Sequence, residues 1–295
     1  MNSMDWDGIR FFLAAAETGS LSAAAKKLAT NQPTVGRHIN SLEESLGVKL
    51  FQRSVKGLSL TEEGKRIHEE SQQIQSSVVK IQRTVQAESE TISGTVKLSL
   101  PEGICHEAIM PVLGVFYKQY PDIKLQLDLS SSSANLTRGD ADIAIRLFRP
   151  KQADLVIKKL GDMQMGLFSS DEYSRNFGSP ITLDELKNHR IISYGDLLHN
   201  LPENQWLLKH SDKTLNITTS DSTIARLKAT LSGCGISIQP VFFKRANNPL
   251  VPVLVSEKIP SHEVWLVYHK DLRHLSRMRV ALEFLSAHMI KILSP

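Results

Sequence analysis

Residues 20–64 read SLSAAAKKLATNQPTVGRHINSLEESLGVKLFQRSVKGLSLTEEG. The pattern predicts two short helices joined by a tight turn, followed by a small β-ribbon. Ser20 is placed to cap the first helix, and Ala23, Ala24, Ala25 and Leu28 give it a compact packing face. Thr30-Asn31 breaks that helix, and Pro33 sits where a first-turn proline is tolerated in the next one. The second helix carries Val35, Ile39, Leu42 and Leu46 at i, i+4, i+7 and i+11, a stripe suited to burial. Gln32, Thr34, Gly36, Arg37, His38 and Asn40 are left on its other faces. Amide and guanidinium groups on an apolar-backed helix match base edges in a major groove. Residue types alone also fit a plain helical hairpin with a polar face. Gly47 ends the second helix, and Val48 to Phe51 and Val55 to Leu60 read as strands, with Gly57 freeing the turn. This ribbon can bring Arg53 and Lys56 to phosphates.

Upstream, Asp5 is placed to cap a helix from Trp6 to Glu17, whose Trp6, Ile9, Phe12, Leu13 and Ala16 form a core face. Downstream, residues 61–93 stay helical in character. Ile67, Ile74 and Ile81 recur every seven residues, with Ser71, Val78 and Val85 interleaved. That heptad stripe fits either pairing with a second helix or packing on its own domain. Ser93-Gly94 breaks it.

From Thr95 the chain alternates strands and helices, as in an α/β domain. Thr95–Leu100, Ile123–Leu129 and Ala141–Leu147 read as strands, with a helix from about Ile104 to Gln119 after a Pro101–Gly103 turn. A single strand from Leu155 to Leu167 carries the chain into a second lobe. There, residues 169–178 and 182–189 are helical, Arg190–Tyr194 and Leu215–Thr218 are strands, and Asp221–Leu231 is a helix. GCGISIQP at 233–240 is a short buried strand. A strand at Glu263–His269 returns to the first lobe, and an amphipathic helix over Arg273–Ile292 closes it.

The stretch from Ala15 through Gly64 resembles the winged helix-turn-helix of LysR-type transcriptional regulators. The likeness includes the LF-x-R opening of the wing and the L-T-x-x-G start of the next helix. The Phe116–Pro121, Gly139–Arg146 and Ser232–Pro240 segments similarly resemble landmarks of that family's effector domain. The resemblance implies an α/β multidomain chain. A winged helix-turn-helix spans 1–60, a linker and dimerisation helix spans 61–92, and a two-lobe, periplasmic-binding-protein-like α/β effector domain spans 93–295. Lobe 1 takes about 93–162 and 267–295, and lobe 2 about 163–266. It assigns DNA contact to Gln32, Pro33, Thr34 and Arg37 and makes Arg53 the wing arginine. Gly36 departs from the serine more usual in the family. It also implies a double-stranded DNA operator, self-association as a dimer or tetramer, a small-molecule effector, and RNA polymerase as a further partner.

Ligands of open α/β lobes bind outside strand carboxyl ends, against helix N-termini. Three places fit: Pro101, Glu102, Gly103 and Cys105; the hydroxyl run Ser130, Ser131 and Ser132; and Thr219, Ser220 and Asp221. Arg146 and Arg149 add positive charge. Together they suit a small polar or anionic molecule, although Glu102 argues against a simple acid and leaves an amine or a neutral polar ligand open.

Composition bounds the alternatives. A chain of 295 residues accommodates two or three compact units. Residues 20–66 hold eight Lys/Arg against four Asp/Glu, a surplus equal to the whole chain's net charge of +4. No apolar run is long enough to span a bilayer, MNSMDWDGIR does not read as a signal peptide, and Cys105 and Cys234 are too few for a disulfide scaffold. A cytoplasmic setting and no membrane partner follow as expectations. His106 and His262 lack the second histidine of H-E-x-x-H, and no nucleophile elbow, Walker loop or dinucleotide fingerprint occurs. No metal, cofactor or catalytic residue is therefore expected. The expected function is a DNA-binding transcriptional regulator controlled by a small molecule. A solute-binding protein or a small-molecule enzyme on the same two-lobe domain are the alternatives.

Overall fold

In the computed structural model, which describes residues 6–54, 57–86, 92–129, 140–150, 154–244 and 248–294, the helix-turn-helix folds as its capping residues dictate. Helix α1 (Trp6–Thr18) is followed by α2 (Leu21–Lys27), where Ser20 Oγ accepts from the Ala23 amide. Asn31 Oδ1 accepts from the Thr34 amide to start α3 (Gln32–Leu46). Each cap satisfies an amide that has no partner within its helix. Both α2 and α3 pack on α1, so α1 buries Phe11, Ala14 and Ala15 in addition to the expected Ile9, Phe12 and Leu13. The expected Asp5 cap lies outside the described residues.

The wing strands are β1 (Phe51–Ser54) and β2 (Gly57–Leu60), paired antiparallel. The first strand starts three residues later than its sequence suggests. Glu43, a buried carboxylate on α3, accepts from the Leu50 amide at 2.8 Å and the Phe51 amide at 3.3 Å. It also pairs with Lys49 at 2.6 Å. These bonds fold residues 48–50 back onto α3 and delay the ribbon.

Helix α4 (Glu62–Gln86) follows directly. The Thr61 hydroxyl donates to the Lys49 carbonyl and accepts from the Gly64 amide. A Cβ at Gly64 would stand 2.1 Å from the Leu50 carbonyl oxygen, so only glycine permits this approach. The L-T-x-x-G pattern thus fixes the joint between wing and helix. Ile67 packs beside the core of Ile9, Phe12, Leu13, Leu42 and Leu50, Ser71 is buried, and Ile74 is exposed. The head consumes the first turns of the heptad stripe and leaves Ile74 on the surface. At 1.5 Å per residue the helix is roughly 37 Å long.

Residues 1–85 and 86–295 are two compact units. The second holds strands β3 (Gly94–Ser99), β4 (Ile123–Asp128), β5 (Ile143–Arg146), β6 (Leu155–Met163), β7 (Met165–Ser170) and β8 (Ile191–Ser193). It continues with β9 (Asn216–Thr219), β10 (Ile236–Pro240), β11 (Leu250–Val253) and β12 (His262–His269). These form two five-stranded sheets, ordered β4-β3-β5-β12-β6 and β11-β7-β10-β8-β9. Strands β5 and β10 are buried at every position, as interior strands covered on both faces must be.

Four details depart from the sequence reading. The strand expected over 155–167 is two strands parted at Gln164, with β6 in one sheet and β7 in the other. The helix expected from Ile104 begins earlier, as α5 (Glu102–Ile104), and continues through a π-turn at Cys105–Ile109 and a 3₁₀ turn at Met110–Val112 into α6 (Leu113–Gln119). Pro111 lacks an amide and its ring would strike the carbonyl four residues back, so the turn before it widens. After α7 (Asp171–Phe177) comes an unanticipated helix, α8 (Pro202–His210), and β11 is likewise new. Finally β12 pairs His262 with Met163, placing its whole length in the first sheet. Helices α9 (Thr223–Leu231) and α10 (Ser276–Leu293) complete the unit.

Candidate functional site

The start of α3 is built to face outward. Gln32, Pro33 and Arg37 are exposed, and Thr34 and Gly36 are half-buried. Ser22 Oγ donates to Gln32 Oε1 at 2.9 Å, which orients the amide and leaves its nitrogen two donors to offer. Arg37 makes no ion pair among the described residues. The first turn of α3 carries no acidic side chain, so its helix start keeps a positive potential. Nothing lies nearer to a Cβ at Gly36 than Leu21 Cδ1 at 4.0 Å. A serine would fit there, and the glycine simply omits its hydroxyl.

His38 behaves differently from the reading that grouped it with the outward residues. Its ring stacks 4.2 Å from that of Phe11 with 10° between planes, so the imidazole packs on α1. Arg53 sits on β1 opposite Leu58, and Lys56 lies outside the described residues. Lys27, Lys49 and Lys65 are paired with Glu17, Glu43 and Glu62, whereas Lys26 and Arg66 are exposed and make no ion pair among the described residues.

The second unit contains a cavity of about 510 Å³ lined from both sheets. Leu147, Phe148, Met163, Met165, Leu198, Leu201 and Phe243 supply apolar wall. Set into it are Glu102, Arg146, Tyr194, Glu203, Asp221, Arg226 and His262. Arg226, 2% exposed, lies 3.8 Å over the Tyr194 ring and donates to the Ser220 carbonyl at 2.6 Å and to Thr223 Oγ1 at 3.2 Å. Glu203, 1% exposed, receives His262 Nε2 at 2.9 Å on one oxygen, and its other oxygen has no hydrogen-bond partner among the described residues. Burial, reinforced by the Glu203 charge, pushes the Tyr194 phenol well above the usual range. Burial likewise lowers Arg146, partly offset by Asp128, and lowers Arg226. Arg146 donates to the Ser99 carbonyl, the Ser99 hydroxyl and the Ile145 carbonyl.

Of the residues read from sequence, Pro101, Glu102, Gly103, Arg146 and Asp221 line this cavity. Glu102 does more than line it. Its carboxylate accepts from Ser222 Oγ at 2.9 Å and the Ile224 amide at 3.4 Å, so it occupies the start of α9. The anion site expected at residues 219–223 is therefore filled from within the chain. Asp221 accepts from the Leu197 and Leu198 amides, pinning the loop before α8. Thr219, which is exposed, and Ser220 do not line the cavity. Cys105 is fully buried in the π-turn and does not line it either, and burial raises its thiol rather than activating it. Ser130, Ser131 and Ser132 lie outside the described residues, and Arg149 stacks over Trp265 at 5.4 Å. Tyr194, Glu203, Arg226 and His262 were not foreseen as a group. The one sequence hint was an arginine beside apolar residues in TIARLKATL.

Comparison with known proteins identifies the family. Residues 6–65 match the family described as bacterial regulatory helix-turn-helix protein, lysR family, and residues 89–290 match the LysR substrate binding domain. The HTH-type transcriptional regulator CrgA of Neisseria meningitidis serogroup C is 30% identical over 286 residues, covering 93% of each chain. An HTH-type transcriptional regulator of Xanthomonas campestris is 30% identical over 236 residues, 78% of this chain and 68% of its own length. The solved structure of CrgA superposes with a TM-score of 0.58 at 28% identity, covering 98% of this chain and 99% of that one. The full-length Vibrio cholerae virulence activator AphB, at 22% identity, shares the fold with a TM-score of 0.63 over 97% of this chain and 100% of its own.

Proposed function

This chain belongs to the LysR-type family of transcriptional regulators, and from that premise we propose how its residues divide the work. It is a DNA-binding regulator controlled by a small-molecule effector, not an enzyme or a transport protein. The outward start of α3 reads the operator: Arg37 and the Gln32 amide approach base edges, Thr34 and Pro33 fit beside them, and Arg53 and Lys56 on the wing hold phosphate. The His38 ring, stacked on Phe11, sets the tilt of α3. Residues 1–60 act as the DNA-binding head, and 61–92 as the helix that pairs two copies through its heptad stripe, in which Ile74 is exposed. The effector domain follows, with its ligand in the cavity between the two sheets. Paired heads bind two half-sites, tetramers place four on one operator, and bound regulator meets RNA polymerase in the cytoplasm. An effector that favours one arrangement of the lobes shifts the population of assemblies and so the spacing of the heads.

The observation that carries this reading is the exposed, acid-free first turn of α3, with Gln32 oriented by Ser22 and Arg37 exposed and in no ion pair among the described residues. Selection from a pool of randomised duplexes with the full chain tests it. A two-fold symmetric sequence should be enriched, with binding that weakens steeply as salt rises. Equal recovery of all sequences would contradict it.

A further inference from the structure

Every charged group on the described wall of the cavity is already engaged by the protein. Both carboxylate oxygens of Glu102 accept from Ser222 Oγ, and those of Asp221 accept from the Leu197 and Leu198 amides. Arg146 donates to the carbonyl and the hydroxyl of Ser99, and that hydroxyl donates in turn to Asp128 at 3.4 Å, whose charge acts on Arg146. Tyr194 hydrogen-bonds with both Glu203 and Arg226, His262 pairs with Glu203, and Arg226 gives further N–H groups to Ser220 and Thr223. Two side-chain atoms of that cluster have no hydrogen-bond partner among the described residues, Glu203 Oε2 and Arg226 Nε. They belong to groups of opposite charge and both are enclosed by protein, so neither favours an acid over a base.

What remains for a ligand to touch is largely hydrocarbon and thioether, from Leu147, Phe148, Met163, Met165, Leu201 and Phe243. A charged ligand entering here gives up its water and finds each opposite charge already bonded elsewhere. An uncharged one avoids that loss and gains from covering the apolar wall. The volume of about 510 Å³ is more than three times the roughly 150 Å³ that takes up benzene, which leaves room for two fused rings and a small head group.

Resting on the reading of this cavity as the effector site, we infer that its effector is an uncharged, largely apolar molecule about the size of a two-ring aromatic. Its body lies against the methionines and Phe148, and a single hydroxyl or carbonyl exchanges hydrogen bonds with the polar groups without stranding a charge. The internal ion pairs hold the wall in shape, and the apolar surface selects the ligand.

Calorimetric titration of the full chain at about pH 7 tests this with three probes that share one ring system and differ in the charge of the head: 2-naphthol, 2-naphthoate and 2-naphthylmethylamine. Glucose serves as an uncharged but polar fourth. The naphthol should bind, both charged probes should bind at least about tenfold more weakly, and glucose should not bind. Leu198→Trp fills the cavity from a half-buried loop position and should abolish naphthol binding. Phe148→Ala trims a side chain that is already 52% exposed, and should weaken the naphthol about threefold or more even where the tryptophan variant fails to fold. The inference is overturned by no binding of the naphthol, by either charged probe or glucose binding as tightly as it does, or by naphthol binding unchanged in a folded Leu198→Trp or Phe148→Ala chain. Duplex binding by the same wild-type preparation separates the two readings. If it is retained while the naphthol fails, the ligand class falls and the regulator stands; if the naphthol binds and no duplex does, the reverse holds.

Discussion

Helices α3 and α9 both start on a polar side chain that takes an early amide, Asn31 for Thr34 and Ser222 for Ala225, yet their remaining N–H groups meet different surroundings. The first turn of α3 carries no acidic side chain, and Gln32 and Pro33 stand in solvent. At α9 the carboxylate of Glu102 arrives from the other sheet's side of the cavity and bonds Ser222 and the Ile224 amide. The same partial positive charge therefore does two jobs. Facing out, it remains available for a phosphate or base edge; facing in, it holds one part of the effector unit to another. A helix start is a site only when the chain has not already filled it.

That contrast can be broken at several points. The largest effect is expected from Glu43→Ala, which leaves the Leu50 and Phe51 amides without their acceptor at the base of the wing. A cost of about 2–3 kcal/mol should lower the melting temperature of the head by roughly 10 °C or more. Hydrogen exchange should show the loss confined to residues 6–86, with the effector unit's protection unchanged. Glu102→Gln keeps the shape at α9 but removes the charge, and should cost about 1–2 kcal/mol, seen as a fall of a few degrees in the effector unit's unfolding and faster exchange at 223–226. If stability does not change, the internal-carboxylate account of α9 is wrong. Asn31→Ala should cost about 1 kcal/mol of head stability, measured by urea unfolding, because the cap is exposed and water replaces part of it.

Cys105 sharpens the comparison in chemical terms. Although it sits near a helix start, burial keeps its thiol protonated above its ordinary value of 9.0. Iodoacetamide at about pH 8 should label the half-buried Cys234 in the folded chain and Cys105 only after unfolding. The folded chain holds the Cys105 proton more tightly than the unfolded chain does. Its contribution to stability is complete below the unfolded pKa and fades as pH rises beyond it.

Local chemistry explains which parts of this were legible in sequence. The Ser20 cap, the Gly47 stop and the Val35–Ile39–Leu42 stripe are decided within a few residues, and they stand where the sequence put them. The wing register is not local, because Glu43 reaches seven residues along the chain to hold Leu50. The break at Gln164 depends on two sheets claiming β6 and β7, and the π-turn on Pro111 meeting a packed helix. The cavity was half legible. Pro101, Glu102, Gly103, Arg146 and Asp221 follow from strand ends and helix starts, whereas Tyr194, Glu203, Arg226 and His262 come together only by tertiary packing. A charged residue within a helix looks the same in sequence whether it ends in water or over a tyrosine ring.

If the outward start of α3 reads sequence, removing the Arg37 guanidinium should erase the preference for one duplex over another. Fluorescence anisotropy would compare wild-type chain and Arg37→Ala on a selected operator duplex and on a scrambled duplex of equal length. The variant should lose about tenfold to hundredfold on the operator, bind both duplexes alike with a steep salt dependence, and keep the wild-type melting temperature and oligomeric mass. A folded Arg37→Ala chain that still prefers the operator as strongly as wild type would contradict it.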